Sequence, residues 1–214
     1  IIKAKIGFIG LGLMGQAFTK RLCSLDYTVI GYDLAAEKIA TAGKHGVVPA
    51  TAPAELTAQA DLILLCVTST DAVQQAVFGP DGVVEAGSPD KLLVDHSTSI
   101  VQSTRDMATA LKDKAGMGWI DAPVSGGPPA ALTGSLAIMA GGAEDDIAQA
   151  APVMADLAAQ FTHMGAVGAG QVTKMINQVL VLNNYAVLAE ALALAEAGGI
   201  DAAKIPEALG AGHA

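Results

Sequence analysis

Gly7-Phe8-Ile9-Gly10-Leu11-Gly12-Leu13-Met14-Gly15 decides how this chain folds. Residues 5–9 read as a buried strand and residues 14–24 as a helix, with three glycines at the junction. Gly10 permits a tight turn, Gly12 lets the backbone approach a pyrophosphate, and Gly15 lets helix and strand pack closely. The first turn of such a helix offers unpaired N–H groups and a positive dipole end to phosphates. Gly10, Gly12, Leu13, Met14 and Gly15 are therefore the candidate cofactor contacts. A second strand, residues 28–32, ends at Asp33, 18 residues beyond Gly15. A carboxylate there can accept hydrogen bonds from both hydroxyls of an adenosine ribose and would repel a 2′-phosphate. Leu34-Ala35-Ala36 follows without an arginine, so the segment predicts NAD over NADP. The alternative reading of Asp33 is a solvated helix N-cap.

Working outward, apolar runs alternate with amphipathic stretches. Strands are expected at residues 62–67, 92–94, 119–120, 136–139 and 161–163. Helices are expected near residues 35–42, from 71 to 77 and over 100–112, and Glu144-Asp145-Asp146 suits the start of another. This order implies βαβ units: an α/β, Rossmann-type, doubly wound and mainly parallel sheet covered on both faces. The character changes at the Gly/Ala segment 165–170. Beyond it one long helix, residues 171–197, ends at Gly198-Gly199, and a second starts near Asp201. We read residues 1–166 as a dinucleotide-binding domain, and 167–214 as an interdomain helix and the beginning of an all-α domain. Two helices cannot bury their apolar faces alone, which predicts a homodimer or homotetramer formed through the helical part.

Of the 214 residues, 52% are hydrophobic and 15% charged, which excludes a disordered chain. The net charge of -9 without a basic run argues against nucleic acid and an anionic membrane surface as partners. The long helix carries Lys174, Asn177, Asn183, Asn184, Glu190 and Glu196, polar residues that argue against a membrane span. Cys23 and Cys66 read as buried thiols, not a disulfide framework. The chain shows no signal-peptide pattern, and a cytoplasmic location is expected. His45, His96, His163 and His213 show no metal-ligand spacing, so no metal is expected. His96 reads as a core or rim histidine.

Two further segments carry chemistry. In Asp121-Ala122-Pro123-Val124-Ser125-Gly126-Gly127, a serine and two glycines after a strand expose a hydroxyl and backbone N–H groups. They suit a carboxylate or a developing oxyanion, or form an ordinary turn before a helix. In Gly170-Gln171-Val172-Thr173-Lys174-Met175-Ile176-Asn177-Gln178, helical spacing puts Lys174, Asn177 and Gln178 on one face. Lys174 is either a surface charge or a placed proton donor.

Together, the Gly7–Gly15, Asp121–Gly127 and Gly170–Gln178 motifs resemble the β-hydroxyacid dehydrogenases over essentially the whole chain. That family includes 3-hydroxyisobutyrate dehydrogenase, tartronate semialdehyde reductase and 6-phosphogluconate dehydrogenase. The resemblance implies hydride exchange between a nicotinamide and a small hydroxy acid or its semialdehyde. It implies that Ser125, Gly126 and Gly127 bind the substrate, that Lys174 is the general acid/base, and that Asn177 or Gln178 orients the substrate. It puts the nicotinamide-ribose contact at Ser97 or Thr98, and lines the cofactor with the loop holding Val67 and Thr68. Gluconate-phosphate members carry His-Asn where this chain has Asn177-Gln178, and hydroxyisobutyrate members often carry Asn-Asn. The Lys-x-x-Asn-Gln pattern looks most like 2-hydroxy-3-oxopropionate (tartronate semialdehyde) reductases. 3-Hydroxyisobutyrate dehydrogenase or another sugar-acid dehydrogenase is the alternative within the family. A non-catalytic dinucleotide-binding module is the alternative outside it.

Overall fold

A computed structural model describes residues 3–210; the termini that include Ile1, Ile2 and His213 lie outside the described residues. Contacts divide the chain after Lys174 into two units. The first is built on β1 (Ile6–Ile9), α1 (Leu13–Ser24), β2 (Val29–Tyr32), α2 (Ala36–Gly43), β3 (Val48–Pro49), α3 (Pro53–Gln59) and β4 (Leu62–Leu65). It continues through α4 (Thr70–Phe78), α5 (Val83–Ala86), β5 (Leu92–Asp95), α6 (Val101–Ala115) and β6 (Gly118–Asp121). Then come β7 (Val124–Ser125), α7 (Gly127–Thr133), β8 (Leu136–Gly141), α8 (Glu144–Leu157) and β9 (Ala158–Gly165). The last helix of this unit, α9 (Ala169–Ala197), runs on past the division.

The described strands form one sheet in the order β3-β2-β1-β4-β5-β6-β8-β7, with β9 paired to β8. β1 to β6 run parallel, whereas β8 is antiparallel to β6 and β7. The fold is the expected mainly parallel doubly wound sheet. Alternation along each strand feeds two cores. Ile6, Phe8, Leu62, Leu64, Leu92, Val94 and Ile120 join Phe18 and Leu22 of α1 and Met154 of α8 on one face. Ile9, Ile63, Leu65, Leu93 and Trp119 join Leu56, Val73 and Leu111 on the other. The strand order reverses between β1 and β4, which opens a crevice at the carboxyl ends of the strands.

Several short elements go beyond the sequence reading. α3 and α7 begin with prolines in the first turn, where the missing N–H is not needed. The two-residue strands β3 and β7 carry too few residues to show a period. Both cysteines are only partly buried as residues, a correction to the reading of buried thiols; Cys66 is the more enclosed of the two.

From Met175 onward the second unit consists of the rest of α9, a 3₁₀ turn (Ala202–Lys204) and α10 (Ile205–Leu209). α9 is long and apolar enough to cross a membrane by length and composition alone.

Candidate active site

The glycine turn between β1 and α1 is shaped by two different demands. Gly10 has φ +94°, and a side chain there would run into the Cys66 carbonyl. Gly12 is the opposite case: an added Cβ would meet no protein atom within 4 Å. It is the N-cap of α1 and provides no side-chain cap. Gly12 lines a cavity of about 680 Å³ together with Gly10, Asp33, Val67, Thr68 and Lys38. An open cradle at a helix N-terminus fits a pyrophosphate, and the cavity volume is in the range for a bound nucleotide. Gly15 serves packing, because a Cβ there would run into the Gly10 carbonyl and approach the Phe8 ring to 3.2 Å. Leu13 is 84% exposed. Neither Leu13 nor Gly15 lines this cavity.

Asp33 is not a solvated N-cap. Its carboxylate accepts hydrogen bonds from Leu11 N at 2.8 Å and Ala35 N at 2.9 Å, so it holds the glycine turn while facing the cavity. The N-cap of α2 is Ala35, without a side-chain bond. Lys38 Nζ lies 3.5 Å from the carboxylate, a pairing that the sequence reading missed. No helical spacing announces it, because Asp33 precedes α2 and lies five residues from Lys38.

A second cavity, of about 410 Å³, adjoins the first and shares Cys66, Val67 and Thr68 with it. Met14 of α1, Ser97 and Thr98 after β5, and Ser125, Gly126 and Gly127 around β7 all line it, as does Lys174 of α9. Residues separated by up to 160 positions in sequence thus share one wall (Met14 to Lys174). Gly126 and Gly127 have φ +124° and +66°, conformations that favour glycine. Lys174 Nζ donates to Val124 O at 2.8 Å, and burial lowers its pKa from the ordinary lysine value. Among the described residues no carboxylate pairs with it.

His96 also lines this cavity, 3% exposed and stacked on Phe18 at 4.9 Å. Burial pushes its pKa down to about 4, so the ring is neutral. With Nδ1 2.8 Å from the Ala122 carbonyl, the neutral tautomer donates there and leaves Nε2 an acceptor. Cys66 is chemically quiet: burial, then the Asp95 charge, push its thiol up to about 12. Asp95 and Asp121 end β5 and β6 side by side in register. Burial raises them to about 7 and about 6. No group of residues able to hold a metal ion occurs among the described residues. Asn177 and Gln178 belong to the second unit, three and four residues past Lys174 along α9.

An amine of lowered pKa, a serine hydroxyl and two glycine-backed N–H groups around one cavity suit proton transfer on an oxygen-bearing anion. With the adjoining nucleotide-sized cavity, the fold and site define a dinucleotide-dependent oxidoreductase. Comparison with known proteins agrees. Residues 5–165 match the NAD-binding domain of 6-phosphogluconate dehydrogenase. Residues 168–214 match the family described as NAD-binding of NADP-dependent 3-hydroxyisobutyrate dehydrogenase. An uncharacterized oxidoreductase of Synechocystis is 37% identical over 213 residues, covering 99% of this chain and 73% of that protein. The 2-(hydroxymethyl)glutarate dehydrogenase of Eubacterium barkeri is 34% identical, with 96% of this chain and 68% of that protein covered. The solved structure of Mycobacterium tuberculosis 3-hydroxyisobutyrate dehydrogenase with L-serine is 32% identical, with a TM-score of 0.89. It covers 99% of this chain and 72% of that one. The chain belongs to the β-hydroxyacid dehydrogenase family and is an NAD(P)-dependent hydroxyacid dehydrogenase.

Proposed function

We propose that this chain reduces tartronate semialdehyde (2-hydroxy-3-oxopropionate), with NADH preferred over NADPH. The observation that carries the reading is the 410 Å³ cavity that gathers Lys174, Ser125, Gly126 and Gly127 beside Ser97 and Thr98. The dinucleotide, when bound, supplies or accepts the hydride. Lys174 gives a proton to the carbonyl oxygen during reduction and takes it back during oxidation, a role favoured by its lowered pKa. Ser125 and the N–H groups of Gly126 and Gly127 hold the substrate carboxylate. Asn177 or Gln178, one turn beyond Lys174, orients the substrate. Thr68, Val67, Ser97 and Thr98 bound the nicotinamide end; Gly10, Gly12, Leu13, Met14 and Gly15 form the phosphate turn, through backbone N–H groups where side chains face away. Asp33 supports NAD, and Lys38 beside it softens the discrimination against a 2′-phosphate.

Asn177-Gln178 supports the tartronate semialdehyde reading. A second substrate, 3-hydroxyisobutyrate with its semialdehyde, is favoured by the name of the Mycobacterium tuberculosis relative. The same reading sets the domain boundary at residue 166, makes the protein a soluble cytoplasmic one, and has the helical part pair two or four copies. NADH oxidation followed by absorbance, with each semialdehyde and with NADPH in parallel, tests it. Rapid turnover of tartronate semialdehyde that Lys174→Ala reduces about 10²–10⁴-fold, with NADH binding retained, is expected. NADH binding without turnover of either semialdehyde would overturn the reading.

A further inference from the structure

We propose that Gln171 is a positioning residue, which with Asp121 sets the placement of Lys174 against the Ser97–Ser99 segment. The inference rests on the proton-transfer role given to Lys174 above. Gln171 is 1% exposed, and its carboxamide is used at both ends. Nε2 donates to Ser97 O at 2.8 Å, and Oε1 accepts from Ser99 N at 3.1 Å. These two partners flank Thr98, and both Ser97 and Thr98 line the cavity. Ser97 passes the constraint on, because its Oγ accepts from Val67 N at 2.9 Å.

The backbone of Gln171 is held as firmly. Its N–H donates to Asp121 Oδ2 at 2.8 Å, while Gly168 N donates to Asp121 Oδ1 at 2.6 Å. The carboxylate thus takes two of the orphan donors at the start of α9. The packing leaves no room for a side chain between them. A Cβ on Gly170 would lie 2.5 Å from the Asp121 carbonyl oxygen, and one on Gly141 2.6 Å from Oδ1. Asp121 stands just before the Val124-Ser125 strand, and Gln171 one turn before Lys174. One carboxylate and one carboxamide therefore fasten together the loops after β4, β5 and β6 and the helix that carries the amine. Displacement of a reacting group by about 1 Å can lower a rate about 100-fold.

The test uses the full chain carrying Gln171→Met, which keeps the length and removes both side-chain bonds. Gln171→Asn, too short to reach both partners, is the second variant. Tyr27→Phe is the control: it deletes a 2.7 Å bond to Asp156 far from the cavity. Turnover is measured with NADH and the semialdehyde that the wild type accepts. Independently of turnover, the rate at which an amine-reactive reagent labels Lys174 is read by peptide mass spectrometry, with Lys112 as internal reference. The expected result is kcat lowered about 10- to 100-fold with both KM values within about threefold, and Lys174 labelling changed at least about threefold. Tyr27→Phe lowers the melting temperature and moves neither reading. Loss of melting temperature in Gln171→Met with wild-type kcat and Lys174 labelling would overturn the proposal, as would failure of both Gln171 variants to fold. A wild type that turns over no semialdehyde refutes the proposed reaction, and the labelling rates still decide the role of Gln171.

Discussion

Replacing Asp95 by asparagine should change how stability depends on pH, in a direction and size set by its burial. Asp95 is fully buried at the end of β5. Its Oδ1 accepts from Ser97 N at 2.9 Å, whereas Oδ2 has no partner among the described residues. Burial raises its pKa from 3.8 to about 7, with the neighbouring Asp121 charge acting in the same direction. A carboxyl that binds its proton more tightly in the native state favours folding at low pH and loses that advantage as pH rises through the raised value. Integrating between the two pKa values, ionisation of Asp95 opposes folding by about 2 kcal/mol at pH 5 and about 4 kcal/mol at pH 8. Asparagine keeps the acceptor for Ser97 N and does not titrate. On going from pH 5 to pH 8, Asp95→Asn should therefore gain about 2–3 kcal/mol relative to the wild type. Urea unfolding of both proteins at the two pH values measures this directly. His96 titrates in both proteins and largely cancels, so the difference reads Asp95 together with its coupling to Asp121. A difference in stability that stays constant within about 0.5 kcal/mol between pH 5 and 8 would refute a buried, proton-retaining Asp95.

The remaining predictions concern the glycine turn, the ribose end and His96. Gly12→Ala should leave the melting temperature within a few degrees, because an added Cβ meets no protein atom within 4 Å, yet weaken NADH binding measured by fluorescence about 10-fold. Gly10→Ala should instead destabilise the fold by about 1–3 kcal/mol in a denaturant titration, because alanine resists φ +94° and meets the Cys66 carbonyl. Asp33→Asn should shift the NADH-to-NADPH preference, read as the ratio of kcat/KM values, about 10-fold toward NADPH; an unchanged ratio would remove Asp33 from cofactor selection. His96, held neutral with a pKa near 4, acts with the opposite sign to Asp95: the unfolded chain takes up a proton that the folded chain refuses. Between pH 7 and 4.5 the wild type should lose about 2–3 kcal/mol more stability than His96→Phe, measured by the same urea titrations.

How much of this was legible beforehand depended on how local the physics was. The turn Gly10–Gly15 could be read because its demands are set by backbone sterics within a few residues. The apolar runs announced β1, β4 and β5 for the same reason, since strands buried on both faces must be continuously apolar. Lys174 and Ser125 stood out through their motifs, but a lysine in an apolar helix reads equally as a surface charge. Its place in the cavity wall, with Nζ held by the Val124 carbonyl, is visible only in the folded chain. Lys38 was overlooked because its partner Asp33 lies across the β2–α2 corner, where the angle between strand and helix determines whether the two meet. Gln171 and Asp121 show no role in the sequence alone, because their partners lie about 50 to 75 residues away.

The sequence by itself determined the elements and their order, because hydrophobic period, glycine placement and helix caps act over a turn or two of chain. It also determined the chemical inventory: a glycine turn after the first strand, a carboxylate after the second, a serine–glycine loop and an amine on a helix. The tertiary structure decided which of these share a wall. The strand order β3-β2-β1-β4-β5-β6 brings the ends of β4, β5 and β6 next to one another, and the Asp121 carboxylate docks the start of α9 onto them. The shifted pKa values of Asp95, His96 and Lys174 likewise followed from burial, a property of the packed molecule that no local stretch of sequence carries.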